Sequence, residues 1–269
     1  MSAGTISPNI AVASPGGARW HLRRYLVPVL IVVFWQAAST LGLIPARTLA
    51  SPAMIVGTFA DLIASGELPR HLLVSLGRVA LGLVIGIAAG VTFALISGLS
   101  RKGEDLLDAT LQMLRTLPFL ALVPLFILWF GIGETPKIAL VALGTMFPIY
   151  LTLFSGIRGV DAKLVEAGQT LGLSRRELVQ HIVLPGALPS ALVGLRYALG
   201  VAWLSLVVAE QINAESGIGY LVMTARDFLR TDIILVGLIV YAILGLSADQ
   251  IVRTLERTVL AWRPSFVKD

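Results

Sequence analysis

The chain has 269 residues, of which 56% are hydrophobic and only 14% are charged, and its mean hydropathy is +0.85. Soluble domains carry about 25% charged residues, so this composition excludes an ordinary globular protein and indicates an all-α polytopic membrane protein. The net charge is +5, but the basic residues are not clustered with aromatic residues, which argues against nucleic-acid binding. Cysteine is absent, so the chain forms no disulfides. The three histidines are widely spaced in the sequence, which argues against a metal site.

Residues 1–18 are small, polar and rich in proline and glycine, which predicts a disordered tail ahead of a transmembrane domain over residues 19–269. Six apolar runs in that domain approach the ~20 residues that a helix needs to cross a bilayer. The predicted fold is therefore a bundle of six transmembrane helices. Their spans are about Leu26–Leu43, Leu72–Ile96, Leu111–Ile132 with a polar approach from Glu104, Ile138–Phe154, Ala191–Ile212 and Ile233–Ala248.

The distribution of Lys and Arg between the connecting segments predicts the orientation, because cytoplasmic loops carry the excess. An even number of spans puts both termini on one side. That side also holds residues 158–189 and carries most of the basic residues, whereas the other side carries Arg47, Arg70, Lys137, Arg226 and Arg230. Both termini and the 158–189 loop are therefore predicted to be cytoplasmic.

Two segments on the opposite, outer side contain helical patterns too polar to cross a membrane. Ser51–Arg70 opens with a Ser–Pro helix start and has apolar residues at helical spacing, which predicts a helix along the outer interface. Asn213–Asp232 contains a Ser-Gly-Ile-Gly turn followed by a short amphipathic piece.

Small residues and prolines inside the spans predict how the helices pack. Gly82, Gly86 and Gly90 recur at four-residue spacing, which lets two helix backbones approach closely. We favour packing within one subunit over a dimer seam for this stripe. Pro118, Pro124 and Pro148 also lie inside spans, where each removes an intrahelical hydrogen bond and can kink the helix.

The polar stretch EAGQTLGLSRRELVQHIVLP, within the 158–189 loop, is predicted to form two short helices around a turn. Asp161 is placed to cap the first helix, and Gly172 suits the left-handed residue that ends it. Ser174 and Glu177 have the spacing of a capping box, with the second helix starting at Arg175. Pro185 and Pro189 are expected to mark the exit into the fifth span. Because connections between bundled helices usually run about 2–8 residues, a folded loop of this length favours a docking element over a solvated connector.

The spacing of Glu166-Ala167-Gly168, Gly172 and Ile182-Val183-Leu184-Pro185 resembles the "EAA" loop of ABC importer permeases. The departure is Gly168, where that family usually has alanine. The resemblance implies the type I ABC importer permease fold, with this loop acting as the coupling helix in a groove of a cytoplasmic ATPase. It implies contacts with that ATPase from Glu166, Ala167, Gly168, Gly172, Arg175 and Arg176.

The resemblance extends over roughly residues 20–265 and is closest to the aliphatic sulfonate permeases, which are similar to the permeases for taurine, nitrate/bicarbonate and thiamine precursors. The sequence contains no G-x-x-x-x-G-K-[S/T] motif, so the chain itself is expected to bind no cofactor and to hydrolyse no ATP. The resemblance implies an ATPase dimer that binds ATP and Mg²⁺, an external substrate-binding protein and a bacterial inner-membrane location. Six spans are too few for a two-sided cavity, which predicts two copies of this chain in the lipid bilayer.

Charged groups inside a membrane are functional candidates. Arg196 lies within the fifth span, where it either meets an anionic substrate, snorkels to the headgroups or pairs with a carboxylate. Asp108, Gln112 and Arg115 form one polar stripe that either lines the substrate route or braces the coupling loop. Arg78 and Glu210, near the outer ends of their spans, are expected to be structural or to contact the binding protein.

A stand-alone secondary transporter is the alternative from a different class. Such proteins often carry internal repeats and buried acidic ion sites. The predicted spans contain no pair of central carboxylates and no obvious repeat, which disfavours this alternative.

Overall fold

The computed structural model describes residues 17–212 and 214–262, and all regular structure within these ranges is helical. The predicted tail lies outside them, except that Gly17 and Ala18 begin the first helix. The helices are α1 Gly17–Thr40, α2 Pro52–Ala64, α3 Glu67–Leu99, α4 Arg101–Arg115, α5 Phe119–Phe130, α6 Glu134–Arg158, α7 Ala162–Thr170, α8 Arg175–Leu178, α9 Leu184–Gln211, α10 Ile218–Asp227 and α11 Thr231–Val259, with a π-helical turn Val179–Val183 between α8 and α9.

Among the described residues, four helices are long and apolar enough to cross a membrane: α3, α6, the continuous helix Arg175–Gln211 and α11. They contain the second, fourth and sixth predicted spans, and the fifth up to Gln211. The first predicted span lies on α1, of which the described apolar part, Leu26–Thr40, is shorter. The prediction of an all-helical membrane protein is thus confirmed.

The prediction of one continuous third span over Leu111–Ile132 is wrong. Helix α4 ends at Arg115, and α5 begins at Phe119 and has 12 residues. Pro118 has no N–H, and its backbone is extended at ψ 117°, so the chain breaks there instead of merely kinking. At 1.5 Å per residue α5 is about 18 Å long, which is less than the ~30 Å hydrocarbon core.

The glycine stripe of α3 packs against α6 within this one chain, as predicted. A Cβ atom on Gly82 would lie 2.6 Å from Val141 Cβ, and one on Gly90 would lie 2.7 Å from the Met146 carbonyl oxygen. Helix α6 packs in turn on α9, where a Cβ on Gly156 would lie 2.6 Å from Ser190 Cβ. Glycine therefore permits close backbone contact along the α3–α6–α9 core.

The two predicted outer helices both form. Ser51 caps α2 by accepting a hydrogen bond from the Met54 N–H at 3.2 Å, with Pro52 as the first helical residue. Helix α10 follows the predicted glycine turn and buries Ile218 and Leu221 against α2 and α11. These helices cover one end of the bundle, the end that is predicted to be outer.

Candidate functional site

The loop after α6, which is predicted to be cytoplasmic, begins with α7, whose two ends are fixed by local hydrogen bonds. Asp161 accepts the Lys163 N–H at 2.9 Å, which confirms the predicted cap. At the other end Gly172 has φ +81°, and the N–H groups of Gly172 and Leu173 donate to the carbonyls of Gln169 and Gly168. This paired arrangement is a Schellman motif, and it reverses the chain toward α8.

Helix α8 starts with the predicted capping box. The Ser174 hydroxyl accepts the Glu177 N–H, and the Glu177 carboxylate accepts the Ser174 N–H at 2.7 Å. Both short elements therefore hold their geometry through local bonds, without a partner protein.

The expected exit at Pro185 and Pro189 is wrong, because α8 continues through both prolines into α9. The Leu184 N–H donates to the Val179 carbonyl, five residues back, in the π-helical turn. An α-helical Pro185 would press its ring against the His181 carbonyl, and the wider turn relieves that clash. Residues Arg175–Gln211 are consequently one helix of 37 residues, about 55 Å long, that joins this loop to the opposite end of the bundle.

The loop exposes an apolar face on α7. Leu164 is 57% exposed and Leu171 is 83% exposed, with Ala167 exposed on the same face. Glu166, Gly172 and Arg176 are exposed beside it. These two leucines and Ala167 thus form a small apolar face on an otherwise polar loop.

Two of the predicted contact residues make intrachain contacts. Gly168 is buried, and a Cβ there would lie 2.6 Å from Ile182 Cδ1 and 2.7 Å from Leu178 Cδ2. The departure from the usual alanine therefore lets α7 lie close to the start of the long helix. Arg175 donates through Nη2 to the Leu99 carbonyl at the end of α3, at 3.0 Å.

A second contact ties the end of α6 to α4. Arg158 pairs with Glu104 and donates to the Ser97 carbonyl at 3.4 Å. Its guanidinium carbon lies 5.8 Å from the centre of the Phe154 ring. The C-terminal ends of α3 and α6 and the N-terminal end of α4 are thereby linked immediately before the loop begins.

The polar stripe of α4 is divided by the fold. Asp108 accepts a hydrogen bond from the buried Tyr150 hydroxyl at 2.8 Å, and the Gln112 amide lies 3.4 Å from the same carboxylate oxygen. Arg115 is exposed at the end of α4. Asp108 thus contacts α6 and Gln112 contacts Asp108 within α4, whereas Arg115 is exposed.

Arg196 pairs with carboxylates on α11, one of the three possibilities that the sequence left open. Its Nη2 donates to Glu256 Oε2 at 2.6 Å, and its Nε lies 3.3 Å from Asp249 Oδ1. Arg253 donates to the second oxygen of Asp249 at 2.7 Å. The cluster contains two positive and two negative charges, and it joins the first half of α9 to the second half of α11.

Among the described residues, the most extensive polar network lies around Arg78, at the end of the bundle that is predicted to be outer. This side chain is 3% exposed and donates through Nη1 to Glu210 Oε1 at 2.7 Å and through Nη2 to Glu134 Oε1 at 2.7 Å. Lys137, also buried, donates to the same Glu134 oxygen at 3.2 Å. Sequence reasoning identified Arg78 and Glu210 and missed Glu134 and Lys137.

Glu210 also fixes the outer loop. It accepts hydrogen bonds from the Ser75 hydroxyl at 2.8 Å and from the Gly219 N–H at 2.8 Å. Gly217 has φ +114°, and a Cβ on it would overlap the Glu210 carboxylate. His71 accepts the Gly217 N–H at 3.0 Å. The start of α10 is therefore seated on α3 and α9 by backbone hydrogen bonds.

The arrangement of the long helices matches solved membrane components of ABC transporters. A chain in the crystal structure of an amino acid ABC transporter with histidines gives a TM-score of 0.62 at 17% identity, covering 76% of this chain and 96% of that chain. A chain of the MetNI methionine ABC transporter in an inward-facing conformation gives 0.54 at 17% identity, covering 67% and 92%. At this identity the likeness shows the fold alone.

Residues 82–261 match the family described as binding-protein-dependent transport system inner membrane component, and the chain belongs to this family. It is 53% identical to the aliphatic sulfonates transport permease SsuC of Escherichia coli (strain K12), so named, over 92% of this chain and 95% of that protein. Its identity to the Bacillus subtilis (strain 168) protein of the same name is 46%, over 94% and 92%. The taurine transport system permease TauC of Escherichia coli (strain K12) is 36% identical, over 91% and 92%. The chain is thus a permease subunit of an ABC importer in the inner membrane.

Proposed function

We propose that this permease imports aliphatic sulfonates, with hydrolysis of ATP supplied by a separate cytoplasmic ATPase dimer that binds ATP and Mg²⁺. The support is the difference in identity between relatives, since both proteins named for aliphatic sulfonates are more similar to this chain than the one named for taurine. A riboflavin transport permease of Chloroflexus aurantiacus is as distant as the taurine protein, at 35% identity. The alkyl sulfonates are therefore favoured over taurine, nitrate or a thiamine precursor.

The proposal includes six membrane crossings with both termini in the cytoplasm. The four long apolar helices account for four crossings, and α1 accounts for a fifth. Helices α4 and α5 complete the sixth together, with polar α4 at the cytoplasmic end and apolar α5 at the outer end. The excess of Lys and Arg on the cytoplasmic side supports this orientation.

The ATPase would dock on the exposed surface of α7 and the adjoining turn. The observation that carries this assignment is an apolar, acid-flanked face on an element that is capped at both ends and joined to the 37-residue helix. Glu166, Ala167, Gly172 and Arg176 would contact the ATPase. Gly168 and Arg175 would hold the loop against Ile182 and α3, so that movement of the loop moves the long helix.

A second copy of this chain would complete the translocation route, and a substrate-binding protein would deliver the sulfonate from outside. Of the candidate pathway residues, Arg115 would meet an anion on the inner route, and its exposure supports this role. Asp108 and Gln112 would brace α4 against Tyr150, and Arg196 would brace α9 against α11.

The docking assignment is tested by charge reversal at Glu166. We expect Glu166→Lys to release the ATPase during purification or to abolish ATP-dependent uptake, while the permease keeps its thermal stability. Asp61→Lys, on the exposed outer face of α2, is the matched control and should retain both ATPase and uptake. A Glu166→Lys complex that copurifies with the ATPase and transports at the normal rate would contradict the assignment.

A further inference from the structure

A carboxylate at the outer surface is held between two buried cations. The Glu134 side chain is 55% exposed, whereas those of Arg78 and Lys137 are 3% and 6% exposed. Arg78 presents Nε and Nη2 to the two oxygens of Glu134 in a bidentate pair. Glu134 is therefore the mobile partner in this cluster, because its side chain can rotate into water without moving either cation.

The charges of the cluster change when Glu134 leaves. Glu210 neutralises Arg78 from the opposite side, through Nη1. In the part of the chain that the structure describes, Glu134 is the one carboxylate within salt-bridge distance of Lys137. Departure of Glu134 thus leaves a surplus positive charge, with the Nε–Nη2 edge of Arg78 and the Lys137 ammonium facing the vacated position. The planar guanidinium of Arg78 beside the ammonium of Lys137 suits an anion with several equivalent oxygens.

An apolar groove begins next to this position. Its cavity of about 420 Å³ lies between α3, α5 and α6, and its walls include Ile85, Ala89, Phe126, Ile138, Ala142 and Met146. On α6 the groove residues Ile138, Ala142 and Met146 follow Glu134 at four-residue intervals, so they form one stripe below it. A volume of roughly 300–1,000 Å³ is typical of sites for small molecules.

The geometry points to a binding site for an alkanesulfonate in this groove, with the sulfonate replacing Glu134 at Arg78 and Lys137 and the alkyl chain lying against the α6 stripe. This inference rests on the proposed function and adds the position and orientation of the substrate. The two cations favour an anionic head group, and the apolar walls of the groove favour an alkyl tail. Glu134 acts as an internal competitor that occupies the cations until a sulfonate arrives.

The distance from the cations to the groove also sets a preference for the length of the alkyl tail of the substrate. Ile138 lies one helical turn below Glu134, about 6 Å along the axis at 1.5 Å per residue. Methanesulfonate engages only the two cations, whereas pentanesulfonate extends into the groove. Each methylene buried there adds to the binding free energy, so affinity rises with chain length.

The tail is tested by filling the groove. In the purified complex with its ATPase in nanodiscs, Ala139→Phe, in the groove wall one residue past Ile138, should weaken pentanesulfonate binding about tenfold or more and leave methanesulfonate within about twofold. Ala88→Phe, exposed on α3 and outside the groove lining, is the control and should change neither. Equal effects of the two variants, or an equal loss for both ligands, would overturn the tail assignment.

The position of the sulfonate head group is tested by changing Glu134, which competes with it for the two cations. We expect Glu134→Gln to tighten pentanesulfonate binding by about tenfold, because it removes the charge that competes for Arg78, and Lys137→Gln to weaken it by a similar factor. Unchanged or weaker binding by Glu134→Gln would overturn the exchange. A tightly held phospholipid found in the groove by native mass spectrometry, undisplaced by pentanesulfonate, would overturn the site.

Failure of the site and failure of the proposed function give different results. A wild-type complex that takes up no alkanesulfonate, even with its binding protein, would overturn both. Normal ATP-dependent uptake of pentanesulfonate by the wild type, together with unchanged affinities in Ala139→Phe, Glu134→Gln and Lys137→Gln, would overturn only the site.

Discussion

Replacing Glu210 with Gln removes a negative charge from the most buried part of the outer network and preserves the shape of the side chain. Glu210 is 1% exposed and Arg78 is 3% exposed. Breaking a buried pair by removing one partner typically costs about 3–5 kcal/mol, because the other charge is left uncompensated. Arg78 retains Glu134, which is half exposed, so we expect a loss near the lower limit, about 3 kcal/mol.

The assay is unfolding of the purified chain in mixed micelles by titration with SDS, followed by the loss of helical circular dichroism. A double-mutant cycle with Arg78→Met isolates the pair, and the double variant should be more stable than the sum of the single changes by about 1–3 kcal/mol. Asp61→Asn, an exposed carboxylate on α2, is the control and should stay within about 0.5 kcal/mol of wild type. A Glu210→Gln cost below about 1 kcal/mol, additive with Arg78→Met, would refute the reasoning.

Three further variants can be measured by the same unfolding titration. Gly86→Ala should destabilise the chain by about 1–3 kcal/mol, since its Cβ would lie 2.5 Å from the Ala142 carbonyl oxygen. Gly77→Ala, on an open face of the same helix, is its control and should stabilise the chain by about 0.5–1 kcal/mol. Gly172→Ala should cost about 1–2 kcal/mol because φ is +81°, and a gain in stability would show that this turn is not left-handed. Arg196→Met should change stability by less than about 1 kcal/mol, since its side chain is 38% exposed and screened; a loss above about 2 kcal/mol would show that lipid shields the pair.

Features governed by neighbours in sequence were predictable. The caps at Asp161 and Ser174 and the left-handed Gly172 depend on residues within a few positions, and all three form as expected. The glycine stripe of α3 was also predictable, because its four-residue spacing puts a smooth face on one side of a helix.

The same local rules failed at two prolines, because the surrounding structure decides what a proline does. Pro118 ends a hydrogen-bonded helix and produces a break, whereas Pro185 follows a π-helical turn that accommodates its ring and keeps the helix continuous. Neither outcome can be read from the residues adjacent to the proline.

The outer network could be predicted only in part, because its members are distant in sequence. Arg78 and Glu210 stand out as charges within apolar runs, but 132 residues separate them and their pairing depends on the packing of α3 and α9. Glu134 resembles an ordinary acidic residue in the first turn of a helix, and Lys137 a basic residue of an outer loop. Their site becomes visible only when α6 is placed beside α3.

ATP-dependent uptake of labelled pentanesulfonate into proteoliposomes tests the central claim most directly. The vesicles would contain two copies of this chain with the ATPase dimer, and the binding protein would be added outside. The account predicts uptake that requires ATP, the ATPase and the binding protein together, and that is lost in Glu166→Lys. Uptake by this chain alone under an ion gradient, or ATP-dependent uptake of other anions but no alkanesulfonate, would contradict it.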